Sequence, residues 1–440
     1  MLKKRKMEKF KALKLSEGIL KAIEELGFKE PSEIQEKAIP LVLEGKDILG
    51  SSATGSGKTL AFGAGIIEKV ARGRGVQALI MTPTRELAQQ VASALRRFSR
   101  HYGLNIKEVY GGVSIEPQIR ELETADVVVG TPGRLLDHLE RRTLDLRKVR
   151  FLVLDEADRM LEMGFIEDVE SIINRCPKER QTLLFSATIS PDIERIAKRY
   201  MINPVNVEVE SYVDASKLNQ RFYDVPNHLK FSLLVHLLRN EKAGLIMVFC
   251  NTRQNTDLIA RNLQRHEIDA LAIHGGLTQN RRNDIMKSFN SGKALILVCT
   301  DVAARGLDIK GISHVYNYDS PKTSTEYIHR IGRTARAGKE GIAITLVSAR
   351  DYENFRRVLE DDSLKLQQEQ LPENMQILEA NFRDFRREKR FGGFRGRGER
   401  SSGRGRSGDR GHGSHRRSFS GRQRSYSSGS RGRGSFRRRY

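Results

Sequence analysis

Cysteine is scarce in this 440-residue chain: Cys176, Cys250 and Cys299 are the only three, far apart and without a C-x-x-C pair. That pattern excludes a disulfide framework and a cysteine-based zinc cluster, so three ordinary buried thiols and no zinc are expected. Long apolar runs are missing as well. The run from Leu245 to Cys250 falls far short of the roughly 20 residues a membrane helix needs, and no membrane partner is expected. Met1 to Phe10 is basic but is followed by an amphipathic stretch, without the apolar core and small-residue cleavage site of a secretory signal. A cytoplasmic location follows as the expectation. Acidic side chains are in deficit, 55 Asp plus Glu against 77 Lys plus Arg, and the net charge of +22 favours a polyanionic partner. What is present, 38% hydrophobic and 30% charged residues, is enough for two or three domains with buried cores.

The excess charge is unevenly spread. Residues 389–440 hold 17 basic and 2 acidic side chains, so +15 of the +22 lies there, among Gly, Ser and Arg with almost no aliphatic residues. Such a segment cannot bury enough surface to offset the entropy of ordering, which predicts a disordered basic tail. Arg and Gly interleaved with Phe391, Phe394, Phe419, Tyr426, Phe436 and Tyr440 supply charges for phosphates and rings for bases. Before the tail, short apolar β-branched runs alternate with amphipathic helical stretches, the pattern of parallel α/β sheets. The spacing predicts strands at Asp47–Ser51, Ala78–Thr82, Lys107–Tyr110, Asp126–Val129, Arg150–Leu154 and Gln181–Phe185. A second series is predicted at Leu245–Phe249, Ala270–His274, Ala294–Cys299, His314–Tyr318 and Gly341–Val347. Two α/β domains, 1–206 and 218–370, are expected, joined by a polar linker at 207–217 and followed by a connecting segment at 371–388.

Ser52-Ala53-Thr54-Gly55-Ser56-Gly57-Lys58-Thr59 stands directly after a predicted strand and before a helical run. Tight glycine turns there present backbone N–H groups to phosphate oxygens, and the helix N-terminus adds its dipole. Lys58 would neutralise the terminal phosphates and Thr59 ligate Mg²⁺. Ser52 occupies a position where the strict P-loop pattern has Gly. The second chemical string, Asp155-Glu156-Ala157-Asp158, ends the apolar run Phe151 to Leu154. An acid at the tip of a strand neighbouring a P-loop completes a Mg²⁺ shell and an adjacent Glu polarises the attacking water, which makes Asp155 the metal residue and Glu156 the base.

Asp155-Glu156-Ala157-Asp158, Pro83-Thr84-Arg85-Glu86-Leu87, Thr131-Pro132-Gly133-Arg134, Ser186-Ala187-Thr188 and His329-Arg330-Ile331-Gly332-Arg333-Thr334-Ala335-Arg336 together resemble the motifs of a DEAD-box RNA helicase, in that family's order and spacing, over about residues 8 to 370. The resemblance implies two tandem RecA-like domains whose cleft closes on ATP and single-stranded RNA. It implies an adenine-recognition element at about 8–36, with Phe28 stacking on the base and Gln35 reading its edge. Phe10 serves equally as the isolated aromatic of that element or as a core residue. Arg85, Gly112, Thr131 and Arg134 in the first domain, and Thr252, Arg282, Thr300 and Arg305 in the second, resemble the RNA-contacting residues. Arg, Thr and Gly N–H groups suit phosphate and 2′-OH contacts, which carry no sequence information, so little sequence preference is expected. Arg333 and Arg336, three apart, resemble cations that enter the cleft against the γ-phosphate, Asp308 the residue reaching the ribose, and Ser186 and Thr188 the element coupling the two sites.

The expected activity is ATP-dependent separation or remodelling of RNA duplexes and ribonucleoproteins, ribosomal assemblies among them, with ATP and Mg²⁺ bound. An RNA chaperone or ATP-gated clamp that anneals strands is the alternative, and a DNA helicase a more distant one. No Asn-Lys-x-Asp guanine-reading string and no Leu-Ser-Gly-Gly-Gln transporter signature occurs.

Overall fold

The computed structural model describes residues 2–51, 56–209, 218–241, 243–304, 309, 311–335 and 340–380. The tail at 389–440 lies outside the described residues, as does most of the expected linker. In the first domain three helices, α1 (Leu2–Ala12), α2 (Glu17–Glu25) and α3 (Glu33–Glu44), lead into β1 (Ile48–Ser51), α4 (Lys58–Lys69), β2 (Ala78–Met81), α5 (Arg85–Phe98), β3 (Ile106–Val109), α6 (Glu116–Leu122) and β4 (Val127–Gly130). The chain continues through α7 (Pro132–Glu140), β5 (Phe151–Asp155), α8 (Ala157–Glu162), α9 (Ile166–Ile173), β6 (Gln181–Ser186), α10 (Pro191–Tyr200) and β7 (Val205–Glu208). The second domain runs β8 (Leu218–Asp224), α11 (Lys230–Asn240), β9 (Leu245–Phe249), α12 (Arg253–Arg265), β10 (Ala270–Ile273), α13 (Gln279–Asn290) and β11 (Ile296–Cys299). It ends with α14 (Asp301–Ala304), β12 (Ile312–Asn317), α15 (Ser324–Ile331), β13 (Gly341–Val347), α16 (Tyr352–Leu359) and β14 (Gln367–Glu369).

Each domain is built on a seven-stranded sheet, in the orders β3-β4-β2-β5-β6-β1-β7 and β10-β11-β9-β12-β13-β8-β14. The strand pairs are parallel throughout. Helices cover both faces, which is why the central strands read as unbroken apolar runs. The two-residue period still sorts the side chains. Ala78 and Ile80 of β2 enter one core with Val127 and Val129 of β4, whereas Leu79, Met81 and Val128 enter the core on the opposite face. In the second domain Ile246 and Val248 of β9 point to one core and Met247 and Phe249 to the other.

Three strands were not anticipated. Val207 and Glu208, expected to begin the linker, close the edge strand β7, paired with β1. β8 and β14 extend the second sheet on one side. Beyond β14, Leu371, Met375, Leu378 and Ala380 pack on the second domain's core, and the Ser232 hydroxyl accepts from Leu378 N at 2.9 Å and lies 3.3 Å from Leu378 O. The start of the expected connecting segment is therefore a strap on that domain.

Candidate nucleotide and RNA site

The strand order decides where the chemistry gathers. β6 lies between β1 and β5, so Ser51 at the end of β1, Asp155-Glu156 at the end of β5 and Ser186 at the end of β6 stand side by side at the carboxyl ends of the strands, where parallel α/β sheets bind ligands. α4 begins at Lys58, behind Gly57, whose φ of 97° is open to glycine and strained for other residues. A Cβ there would stand 2.5 Å from Gln35 Nε2. That close approach lets Gln35 Nε2 donate to Gly57 O at 3.0 Å while its Oε1 accepts from Ser32 N at 3.0 Å. The candidate adenine reader is thereby held by α3 and tied to the phosphate loop. Gln35, Gly57, Lys58, Thr59, Asp155 and Glu156 line one cleft of about 550 Å³. Phe28 joins them, its ring 5.7 Å from that of Phe98. Phe10 is fully buried in the core and takes no part.

Lys58 Nζ stands 3.6 Å from Asp155 Oδ1, with both side chains buried. Burial pushes the Asp155 carboxyl up from the ordinary carboxylate range, against the pull of Lys58. Asp155 Oδ1 has no hydrogen-bond donor. A buried carboxylate oxygen without a donor is costly on its own and suits a cation, so Asp155 and the neighbouring Thr59 fit a Mg²⁺ ion. Glu156 follows in a left-handed conformation, φ 53°, which turns the chain sharply from β5 into α8.

Asp158 is a functional candidate that the sequence argument passed over. Its Oδ2 accepts from the backbone N–H groups of Ala187 and Thr188, both at 3.1 Å, and from the Thr188 hydroxyl at 3.3 Å. Its own N–H donates to Ser186 Oγ at 3.2 Å, and Ser186 donates on to Thr188 O at 2.7 Å. The last residue of the acidic string thus clamps Ser186 and Thr188 to the strand end that carries Asp155 and Glu156.

The expected RNA residues form two groups. In the first domain Gly112 has φ 75°, and a Cβ on it would overlap Arg85 Nη1 at 1.9 Å, so the Arg85 guanidinium rests on the glycine loop. Arg134 reaches the same loop, donating to Val113 O at 3.1 Å and to Gln118 Oε1 at 3.4 Å. Gln118 Nε2 donates to Tyr110 O at 3.0 Å, which ties the loop to α6. Thr131 occupies the N-cap position of α7, ahead of Pro132, without a side-chain cap hydrogen bond.

In the second domain Arg330, nearly fully buried, is the hub. Its guanidinium binds both carboxylate oxygens of Asp301 at 2.6 Å, Asn251 Oδ1 at 2.8 Å and Asp319 O at 2.6 Å. The loops carrying Thr252 and Thr300 are therefore fixed to α15. Thr252 Oγ1 accepts from Asn255 N at 3.1 Å as a helix cap, with its hydroxyl proton left to donate. Arg282 faces the first domain, 2.9 Å from Glu86 Oε1. Arg333 is buried and is not among the residues lining the nucleotide cleft. Ser52, Ala53, Thr54, Gly55, Arg305, Asp308 and Arg336 lie outside the described residues.

With this geometry in place, residues 32–196 match the DEAD/DEAH box helicase family and residues 229–338 the helicase conserved C-terminal domain. This chain belongs to the DEAD-box RNA helicases. The ATP-dependent RNA helicase CshA of Listeria monocytogenes is 48% identical over 369 residues, 83% of this chain and 71% of that protein. The DEAD-box ATP-dependent RNA helicase CshA of Geobacillus kaustophilus is 45% identical over 380 residues, 86% and 81% of the two chains. Among solved structures, a DEAD box protein from Methanococcus jannaschii is 42% identical with a TM-score of 0.51, covering 83% of this chain and 99% of that one. Saccharomyces cerevisiae Dbp5 bound to RNA and ADP BeF3 is 30% identical with a TM-score of 0.74, covering 82% and 95%. DEAD-box helicases thus share the tandem RecA-like arrangement of this chain. No helix among the described residues is long and apolar enough to cross a membrane.

Proposed function

We propose that this DEAD-box helicase works by binding ATP and single-stranded RNA together across its two domains, separating RNA strands locally, and reopening on hydrolysis. The observation that carries this reading is the gathering of Gln35, Lys58, Asp155 and Glu156 on one cleft, with Ser186 and Thr188 clamped beside it through Asp158. In the reading, Phe28 and Gln35 select adenine, and residues 52–59 and Lys58 hold the phosphates. Asp155 and Thr59 would hold Mg²⁺, which supplies charge neutralisation between phosphate oxygens. Glu156 takes the proton of the attacking water. Arg333 and Arg336 meet the γ-phosphate, and Asp308 the ribose. Such a cation contributes about 10³ to 10⁵ in turnover when it reaches the transition state, and entry of Arg333 and Arg336 against the γ-phosphate is the proposed closing step.

Arg85, Gly112, Thr131 and Arg134, with Thr252, Arg282, Thr300 and Arg305, would grip the RNA backbone with little sequence preference. The two nucleotide-binding folds are taken to meet between β7 and β8, with 389–440 an RNA tether. Ribonucleoprotein assemblies, ribosomal ones included, are the proposed substrates in the cell, in a cytoplasm that suits three free, buried thiols. The test is ATP turnover by the full chain with and without RNA, together with unwinding of matched RNA and DNA duplexes. RNA-stimulated turnover with RNA unwinding is expected. Annealing without unwinding would favour a clamp, and equal unwinding of DNA would overturn the RNA-specific reading.

A further inference from the structure

A second basic surface lies on the edge of the first domain opposite the nucleotide cleft. The turns 69–76, 145–150 and 174–180 lead into β2, β5 and β6, which are neighbours in a parallel sheet, so all three turns sit at the amino ends of the strands. Together they carry nine basic residues against two acidic ones, a net +7. Residues 1–388 as a whole, with 60 basic and 53 acidic, also net +7. The other residues of 1–388 are therefore neutral in sum.

The turns are joined in space. Lys148 Nζ donates to Arg74 O at 3.2 Å and Arg150 Nη2 to Lys69 O at 2.8 Å. Arg74, Gln77, Arg147, Lys148, Arg150 and Glu179 line a cavity of about 550 Å³. Lys69, Arg72, Arg74, Arg147, Lys148, Arg150, Arg175 and Lys178 are exposed. Among the described residues only Arg147 of the nine has a carboxylate within ion-pair distance, Asp145 at 2.8 Å. So many like charges raise the free energy of the folded state unless an anion comes to them.

We propose that this edge is a second RNA-backbone site, which holds a segment of RNA other than the one in the cleft. The chemistry favours a phosphate backbone over an acidic protein. None of the exposed large hydrophobic residues, Phe28, Val113, Ile202, Leu295, Val302, Tyr352, Leu359 and Ile377, falls within the three turns. A protein interface needs a buried apolar or aromatic centre, whereas contacts to phosphates need only cations and donors. Gly73 and Gly75, both at positive φ, flank Arg74, and Arg72 and Arg74 are both exposed.

The test is a full-length variant with Arg72→Gln, Arg74→Gln, Lys148→Gln and Lys178→Gln, all exposed positions outside the catalytic and cleft machinery. Its affinity for a long single-stranded RNA is measured across salt concentrations beside the wild type. Each phosphate contact adds about −0.7 to the slope of log affinity against log salt. Between about 50 and 200 mM salt the wild-type advantage should therefore shrink by roughly 7-fold if two of the four touch phosphate and roughly 50-fold if all do. ATP turnover saturated with an oligonucleotide short enough to fill the cleft alone should be unchanged, which separates this site from the cleft reading. A single Arg72→Glu variant should move the same way. Equal affinities and slopes would overturn the proposal, as would an effect seen only on binding of polyglutamate or of anionic lipid vesicles.

Discussion

The carboxylate of Glu86, on the first turn of α5, lies 2.9 Å from the guanidinium of Arg282 on α13, so one helix from each domain meets through a nearly buried ion pair. Gln279 Nε2 adds a donor to the same oxygen at 3.3 Å. Burial lowers the pKa of Arg282 and Glu86 opposes the shift, yet the guanidinium stays charged, being far above neutral pH in either case. Removing one partner of a buried pair costs about 3 to 5 kcal/mol, because the other charge is left desolvated. Arg282→Ala should raise the RNA concentration needed for half-maximal ATP turnover by about tenfold or more, with nucleotide affinity in the absence of RNA little changed. The Glu86→Ala, Arg282→Ala double variant should lose less than the two single losses added together. Unaltered RNA dependence in both single variants would mean that the pair does not stabilise this arrangement of the domains.

Glu156→Gln keeps the shape of the cavity and removes the proposed proton acceptor. Turnover should fall by about 10² to 10⁴ with ATP binding nearly intact. Lys58→Ala, in contrast, removes the cation 3.6 Å from Asp155, and should weaken nucleotide binding itself by roughly tenfold or more. Titration of a fluorescent ATP analogue, beside phosphate release under saturating ATP, separates the two effects. Wild-type turnover in Glu156→Gln would remove that residue from the mechanism.

Gln35 has one amide proton and one carbonyl lone pair left after its bonds to Gly57 O and Ser32 N. Those are the groups an adenine edge needs. Gln35→Ala should therefore relax discrimination between ATP and GTP by roughly two- to tenfold, and it also frees the carbonyl of the phosphate loop. Competition of labelled ATP by GTP measures this. If wild type and variant accept GTP equally well, Gln35 is a structural cap alone.

Much of this site was legible in the sequence, because apolar strands that end in polar strings mark the carboxyl ends of a parallel sheet. What was missed has a physical cause in each case. β8 reads Leu-Asn-Gln-Arg-Phe-Tyr-Asp, mixed in polarity and without a β-branched residue. It is held by pairing to β13 along its whole length rather than by its own propensity. β7, Val-Asn-Val-Glu, buries little at the sheet edge and resembles a linker. Asp158 stood in view within the acidic string, but its partners Ala187 and Thr188 come from 29 and 30 residues away. The family resemblance points Arg282 to RNA, and nothing in its spacing reveals that it also pairs with Glu86 across the domains.

His138 offers a pH test. Its ring is buried between Gln118 Oε1, 3.2 Å from Nε2, and Thr143 Oγ1, 2.8 Å from Nδ1. Burial and the Arg134 and Arg141 charges push its pKa below 6.5, with Asp137 in opposition. The folded ring resists a proton that the unfolded chain accepts, so below about pH 6.5 the unfolded state binds more protons and stability falls as pH falls. Thermal unfolding followed from about pH 8 down to about pH 5 should show a decline that is shallower in His138→Asn. Parallel pH profiles would show that His138 contributes none of the dependence.

Gly112→Ala joins backbone strain to displacement of Arg85, a proposed RNA contact. At φ 75° an alanine costs about 1 to 2 kcal/mol, and its methyl group would overlap Arg85 Nη1. The overlap falls on the far end of a flexible side chain, so the domain should still fold, losing a few degrees in melting temperature, while the guanidinium swings off the loop. A charge-assisted contact to phosphate contributes about 1.5 to 3 kcal/mol. RNA affinity should accordingly drop by roughly tenfold or more, with ATP affinity in the absence of RNA unchanged, since Gln35 on α3, Lys58 at the start of α4 and Asp155 at the end of β5 belong to other elements. If the loss does run through Arg85, then adding Gly112→Ala to an Arg85→Ala chain should weaken RNA binding little further. A full additional loss in that double variant would show that Gly112 acts through its own backbone N–H instead.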